Sequence, residues 1–137
     1  MKSLIVEDDF ICRVVLQRAL QPYGVCDAAT NATEALAAFK CAHGASDPYQ
    51  LVCLDIEIPG ASGHEVLKEL RRFEAQLGVP PDRAVKVLMT SGHSEPDQVR
   101  TAFHNRSDGF LVKPIDLLAL NRKLVAMRLI TDAGAPR

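Results

Sequence analysis

A chain of 137 residues with 47% hydrophobic and 24% charged residues is one soluble globular domain with enough apolar surface for a core of its own. A formal net charge of -1 gives no basic face for sequence-independent nucleic-acid binding. No apolar stretch approaches the roughly 20 residues of a membrane span, and charged Glu7 arrives too early for a leader peptide, so the chain reads as cytoplasmic with no membrane partner.

Strand and helix signals alternate five times. A first strand is predicted over residues 2–6, and Glu7-Asp8-Asp9 follows it, with Asp9 as a helix cap. Cys12, Val15, Leu16, Ala19 and Leu20 then repeat at helical spacing until Pro22 and Gly24 stop them. A weak second strand covers 25–29. Asn31 with Glu34 reads as a capping box before a helix with Ala35, Leu36 and Phe39 inward, and 43–48 is a loop.

The unbroken apolar run 51–54 is a third strand buried on both faces, closed by Asp55. Pro59-Gly60 turns the chain, and Ser62 with Glu65 opens a helix with Val66, Leu67, Leu70 and Phe73 inward. Residues 78–82 form a loop. A fourth strand over 85–90 leads to Ser91-Gly92, and Ser94 caps a helix through about 105, with Pro96 in its first turn. The fifth strand, 109–112, ends at Lys113-Pro114, a bond whose isomer the sequence leaves open. Leu117, Leu120, Leu124 and Met127 give the last helix a buried stripe. Residues 1–130 form the domain, and 131–137 read as a disordered tail.

Five βα units with right-handed crossovers give a flavodoxin-like doubly wound α/β sandwich, a parallel five-stranded sheet of order 2-1-3-4-5. In that order the first and third strands are neighbours, so Glu7 and Asp8 come beside Asp55. Three carboxylates crowded together repel one another, so the site raises a pKa or recruits a cation, and a hard divalent ion such as magnesium suits them. Lys113, directly after an apolar strand, can reach a carboxylate or phosphate as a point charge. Ser91 offers a hydroxyl. Thr90 beside it is the alternative, because successive strand residues point to opposite faces. Cys12, Cys26, Cys41 and Cys53 lack paired spacing and read as reduced thiols. The histidines, with no i,i+4 pair, give no zinc site.

Glu7-Asp8, Asp55, Ser91-Gly92 and Lys113-Pro114, in this order on five βα units, resemble the receiver domain of two-component response regulators. The likeness runs from Lys2 to about Met127 and includes the loop Asp55-Ile56-Glu57-Ile58-Pro59-Gly60 and the stretch Ser62-Gly63-His64-Glu65-Val66-Leu67. The resemblance implies a signalling domain rather than an enzyme with its own substrate, a stand-alone regulator that catalyses only its own phosphorylation and dephosphorylation. It implies Asp55 as phosphoacceptor, and Mg2+ held by Glu7, Asp8, Asp55 and the Glu57 backbone carbonyl. Lys113 would pair with the phosphoryl group, Ser91 would be the switch hydroxyl, and Phe110 the switch aromatic. Glu57 and His93 stand at positions thought to tune phosphoryl lifetime.

The implied partners are a sensor histidine kinase or phosphotransfer protein and a downstream target protein. That target would read a face formed by the helix after Ser94, the fifth strand and the last helix, with Val99, Phe103, His104, Asp108 and Phe110 as candidates. The chain would be a monomer or a weak phosphorylation-dependent dimer, with Asp108, Arg122 and Lys123 available for ion pairs. A haloacid-dehalogenase-like phosphatase using Asp55 as nucleophile wants a second aspartate two residues on, where Glu57 stands, and a cap domain. A flavodoxin-like cofactor binder would need a phosphate loop where Glu7-Asp8-Asp9 would repel phosphate. The remaining alternative is an adaptor receiver that is never phosphorylated.

Overall fold

The computed structural model describes residues 1–92, 101 and 106–132. Its central element is a parallel sheet of β1 (Ser3–Val6), β2 (Cys26–Ala29), β3 (Leu51–Asp55), β6 (Lys86–Ser91) and β7 (Gly109–Val112), ordered β2-β1-β3-β6-β7. Taken in chain order within the sheet, this is the expected 2-1-3-4-5 arrangement. Helices α1 (Phe10–Leu20) and α4 (Leu117–Ala126) cover one face; α2 (Ala32–Gly44) and α3 (Gly63–Leu77) cover the other.

Two apolar clusters explain why the sheet holds this order. Ile5, Leu51, Cys53, Leu88 and Leu111 meet Leu16 and Leu20 of α1 and Leu120 and Leu124 of α4. Leu4, Val6, Val52, Leu54, Val87 and Met89 meet Ala35 and Phe39 of α2 and Val66, Leu67 and Leu70 of α3. Every residue of β3 is buried, which is why its sequence runs apolar without alternation.

Local signals set most boundaries. Asp9 caps α1 by accepting from the Ile11 N–H at 3.0 Å. Asn31 caps α2 through the Glu34 N–H at 2.9 Å, but the Glu34 carboxylate reaches back to the Thr30 N–H and hydroxyl instead of closing the expected box on Asn31. Ser62 caps α3 through the Glu65 N–H. Gly78 ends α3 in the left-handed conformation, φ 71°, that glycine adopts without steric cost.

Several expectations shift. Helix α2 runs into the predicted 43–48 loop, ending at Gly44. The predicted 78–82 loop contains a 3-10 turn at Pro81–Arg83. Asp55 and Ser91 are the last residues of their strands rather than the first beyond them. The turn at Pro59-Gly60 closes a small antiparallel hairpin, β4 (Glu57–Ile58) with β5 (Ala61–Ser62). Leu117 is 56% exposed, not part of a buried stripe, because it borders an open cleft facing Arg18, Ala19, Pro22 and Tyr23 rather than packing into the core; Leu120, Leu124 and Met127 are buried as expected. The predicted helix after Ser94, with His93, Pro96, Val99, Phe103 and His104, lies outside the described residues. Among the described residues no helix is long and apolar enough to cross a membrane.

Candidate functional site

Glu7, Asp55 and Lys113 each stand two residues beyond a core residue on the same sheet face, namely Ile5, Cys53 and Leu111. Strand alternation therefore sends all three side chains to one side at the carboxyl ends of β1, β3 and β7. Strand order does the rest. β1 and β3 are direct neighbours, and β7 lies one strand beyond β6, a gap that a lysine side chain spans.

The Lys113 ammonium donates to Asp55 Oδ2 at 2.9 Å and makes a second charge contact with Glu7 Oε1 at 2.5 Å. Both acids are buried, Glu7 fully and Asp55 at 3% exposure, whereas Asp8 is exposed. One carboxylate oxygen from each of Glu7, Asp8 and Asp55 lies within 4.8 Å of the others. The Asp55 Oδ1 atom accepts the Glu57 N–H at 3.1 Å, which fixes the carboxylate plane, and Glu7 Oε2 accepts the Asp9 N–H at 3.3 Å. Lys113 precedes a cis peptide bond to Pro114, and its own N–H donates to the Ser91 carbonyl at 2.7 Å.

The electrostatics follow from crowding. Burial, followed by the Glu7 carboxylate at hydrogen-bonding distance, pushes the Asp55 carboxyl from 3.8 up to about 6, against the opposing pull of Lys113. Burial also works against the Glu7 charge, but hydrogen bonds from Asp55 and Lys113 outweigh it and hold Glu7 below the usual glutamate value. Burial disfavours the Lys113 charge as well, and the two acids overcome it and raise the ammonium well above its ordinary range. Three carboxylates facing one ammonium leave an excess of negative charge when all are ionised. An all-oxygen donor set with one solvent-facing member fits a hard divalent cation that keeps several of its waters, as magnesium does.

Thr90 and Ser91 are both buried, and they occupy different faces. Thr90 pairs with Asp55 across the β3–β6 ladder, and its carbonyl accepts the Ile56 N–H at 3.0 Å. Ser91 lies one residue nearer the strand end, on the face that Met89 and its partner Phe110 share. Phe110 is half-buried against that cluster. Glu57 is exposed, and His93 lies outside the described residues.

Asp108, expected on an output or dimer surface, is exposed, and its carboxylate is also held by the Arg71 guanidinium at 3.1 Å and the Val87 N–H at 2.8 Å.

Three residues shape the site that the sequence reading had not assigned to it. The Cys12 thiol hydrogen-bonds Glu7; burial and then that carboxylate push its pKa up to about 12, so it stays protonated. Arg13 Nη1 donates to the Glu7 carbonyl at 3.0 Å and the Asp8 carbonyl at 3.3 Å, bracing the acidic loop. Gly63 packs against the far side of the Asp55 backbone: a Cβ there would stand 2.4 Å from the Asp55 carbonyl oxygen and 2.7 Å from Ile56 Cα. The helical register of Arg13 one turn after Asp9 was a signal for the second; Cys12 fits the helical repeat and Gly63 lies in the stretch that carries the resemblance, but nothing local tied either to Glu7 or Asp55.

Comparison with known proteins agrees with this architecture. Residues 3–125 match the response regulator receiver domain family. The chain is 33% identical over 124 residues to the regulatory protein VanRB of Enterococcus faecalis, covering 90% of this chain and 50% of that protein, so it spans about half of that relative's length. Among solved structures, the response regulator TrrA of Thermotoga maritima, crystallised in complex with Mg(2+)-BeF, superposes with TM-score 0.72 at 31% identity, covering 93% of this chain and 99% of that one. The receiver domain of a Saccharomyces cerevisiae response regulator, crystallised with a histidine phosphotransfer signaling protein, superposes with TM-score 0.80 at 26% identity, covering 96% and 93%. A parallel sheet that gathers acids from two neighbouring strands around one lysine, matched along nearly its whole length, places this chain in the response regulator receiver domain family of two-component signalling.

Proposed function

We propose that this receiver takes a phosphoryl group onto Asp55 from a phosphohistidine of a sensor kinase or phosphotransfer protein. The observation that carries the reading is the triangle of Glu7, Asp55 and Lys113, with Lys113 bridging both acids and Asp8 beside them at the solvent edge. The Asp55 carboxylate attacks phosphorus in line; the P–N bond breaks, a P–O bond forms, and the imidazole departs with a proton from solvent. Glu7, Asp8, Asp55 and the Glu57 carbonyl would hold Mg2+, which when bound neutralises charge on the transferring oxygens. Lys113 supplies a second positive charge to those oxygens, so that catalysis is positioning and electrostatics.

The acyl phosphate adds about -1.5 to -2 charges by analogy with other phosphorylated side chains. Ser91 is the hydroxyl that would respond to it, because it stands at the end of β6 and shares a face with Phe110. A shift of Ser91 toward the phosphoryl group would alter the space Phe110 fills, and a target protein would read that change; Glu57 and His93 would tune how long it lasts. Full burial of Ile130 in the α1/α4 cluster supports a receiver unit that extends to residue 130.

The test is labelling by phosphoramidate with magnesium, followed by intact mass. The wild type should gain one phosphoryl group and Asp55→Asn should gain none. Equal labelling of the variant would sink the assignment.

A further inference from the structure

At the opposite end of the sheet from the acid cluster a network centred on a buried arginine spends all the hydrogen-bonding capacity of that side chain. Arg71, on α3, is 7% exposed. Its Nε and Nη2 donate to the Arg106 carbonyl at 3.2 and 2.8 Å, and Nη2 also donates to Asp108 Oδ2 at 3.1 Å. Its Nη1 donates to Glu74 Oε1 and to the Val85 carbonyl, both at 2.8 Å. A guanidinium has five N–H donors, and here all five are used. Glu74, 4% exposed, accepts the Val85 N–H at 2.7 Å; Asp108 accepts the Val87 N–H at 2.8 Å. Arg106, whose carbonyl takes two of the bonds, sits at φ 66°, a left-handed conformation that is costly for a residue with a Cβ and persists only when its surroundings fix it.

The groups tied together are the entry to β6, at Val85 and Val87, and the entry to β7, at Arg106 and Asp108. Those two strands deliver Ser91 and Lys113 to the functional end, about 20 Å away at roughly 3.3 Å per strand residue. We propose that Arg71 is a positioning residue: by fixing both strand entries to α3 it sets the register in which Lys113 reaches the acid cluster and Ser91 the end of β6 beside it. No partner, ligand or loop movement is required. One rigid fork at the base determines where two side chains arrive at the top, and the Lys113 N–H bond to the Ser91 carbonyl reports that register at the far end. A lysine at position 71 keeps the charge but has three donors on one nitrogen, so it cannot hold two carbonyls and two carboxylates that lie in different directions.

The experiment compares Arg71→Lys and Arg71→Met with Phe39→Leu, a cavity variant in the α2/α3 core outside the network, under conditions where each is fully folded by circular dichroism. Hydrogen exchange at the Lys113 amide is the first readout. It should speed up in both Arg71 variants, and in Arg71→Lys even if Arg71→Met fails to fold, while Phe39→Leu of equal or lower stability stays near wild type. The second readout, the rate of phosphoramidate labelling per folded molecule, rests on the reading of Asp55 above and should fall about tenfold in Arg71→Lys, the scale of a small misplacement of catalytic groups. Wild-type exchange at Lys113 in Arg71→Lys, or equal loosening in Phe39→Leu, overturns the proposal. Loss of labelling specificity in Asp55→Asn bears on the phosphoacceptor alone and leaves the exchange result standing.

Discussion

Lys113 Nζ lies 2.9 Å from Asp55 Oδ2, joining the end of β7 to the end of β3 across the intervening β6. Because the same ammonium also contacts Glu7, one cation compensates two buried acids on neighbouring strands. Removing it strands both.

Lys113→Met should therefore lower stability in metal-free buffer by about 2–3 kcal/mol, less than a fully buried pair would lose because the lysine is partly exposed. Urea denaturation at neutral pH with chelator measures it. Added magnesium should return part of the loss by supplying a replacement positive charge, and an unchanged midpoint in chelator would show that the ammonium carries no structural weight.

Asp55 pulls stability in the opposite direction. Its folded pKa is raised, from 3.8 to about 6, so ionisation is harder in the folded chain than in the unfolded one. As pH rises from about 4 to about 6 the folded state loses stability from this group, and above that window the loss is complete. Asp55→Asn removes the penalty and should be more stable than wild type at pH 7 without metal by about 1–2 kcal/mol, with the difference shrinking toward pH 4. Chelated urea titrations at several pH values check the sign; a variant less stable than wild type at pH 7 would reverse it.

Gly63→Ala tests the packing behind Asp55, the proposed acceptor. The added methyl would collide with the Asp55 carbonyl and Ile56 Cα, both backbone atoms that cannot rotate away. A cost of about 2–3 kcal/mol is expected from overpacking, together with slower phosphoramidate labelling because Asp55 itself must move. Thermal melts and labelling rates should change together.

Ser91→Ala and Thr90→Val separate the two hydroxyls. Ser91 shares a sheet face with Phe110, and Thr90 lies on the other face, paired with Asp55. Ser91→Ala should keep labelling but lose the change in Phe110 ring resonances that beryllofluoride and magnesium induce in the wild type. Thr90→Val should keep that response. The reverse pattern would give the switch role to Thr90.

Much of this was legible in the sequence because the signals were local or periodic. The apolar run before Asp55 declared a strand buried on both faces, and Asp9, Asn31 and Ser62 announced three helix starts through side-chain caps. Convergence of Glu7, Asp55 and Lys113 followed from strand order, which the alternation of elements restricted to few choices. What stayed hidden depends on contacts between residues far apart in the chain. Leu117 fits the helical period of α4, yet burial there requires close packing by a neighbour, and Leu117 instead borders an open cleft between α4 and the end of α1. Asp108 is a surface charge as expected, but its ion-pair partner Arg71 was hidden because it lies 37 residues away on α3. The β4–β5 hairpin is only two residues per strand, too short for an alternating pattern to show.

Mapping the phosphoryl group to a residue tests the central claim most directly. Protein labelled with phosphoramidate and magnesium, trapped by borohydride reduction and digested, should carry homoserine at position 55 and nowhere else. Modification at Asp8, Ser91 or a histidine, with position 55 intact, would contradict the account.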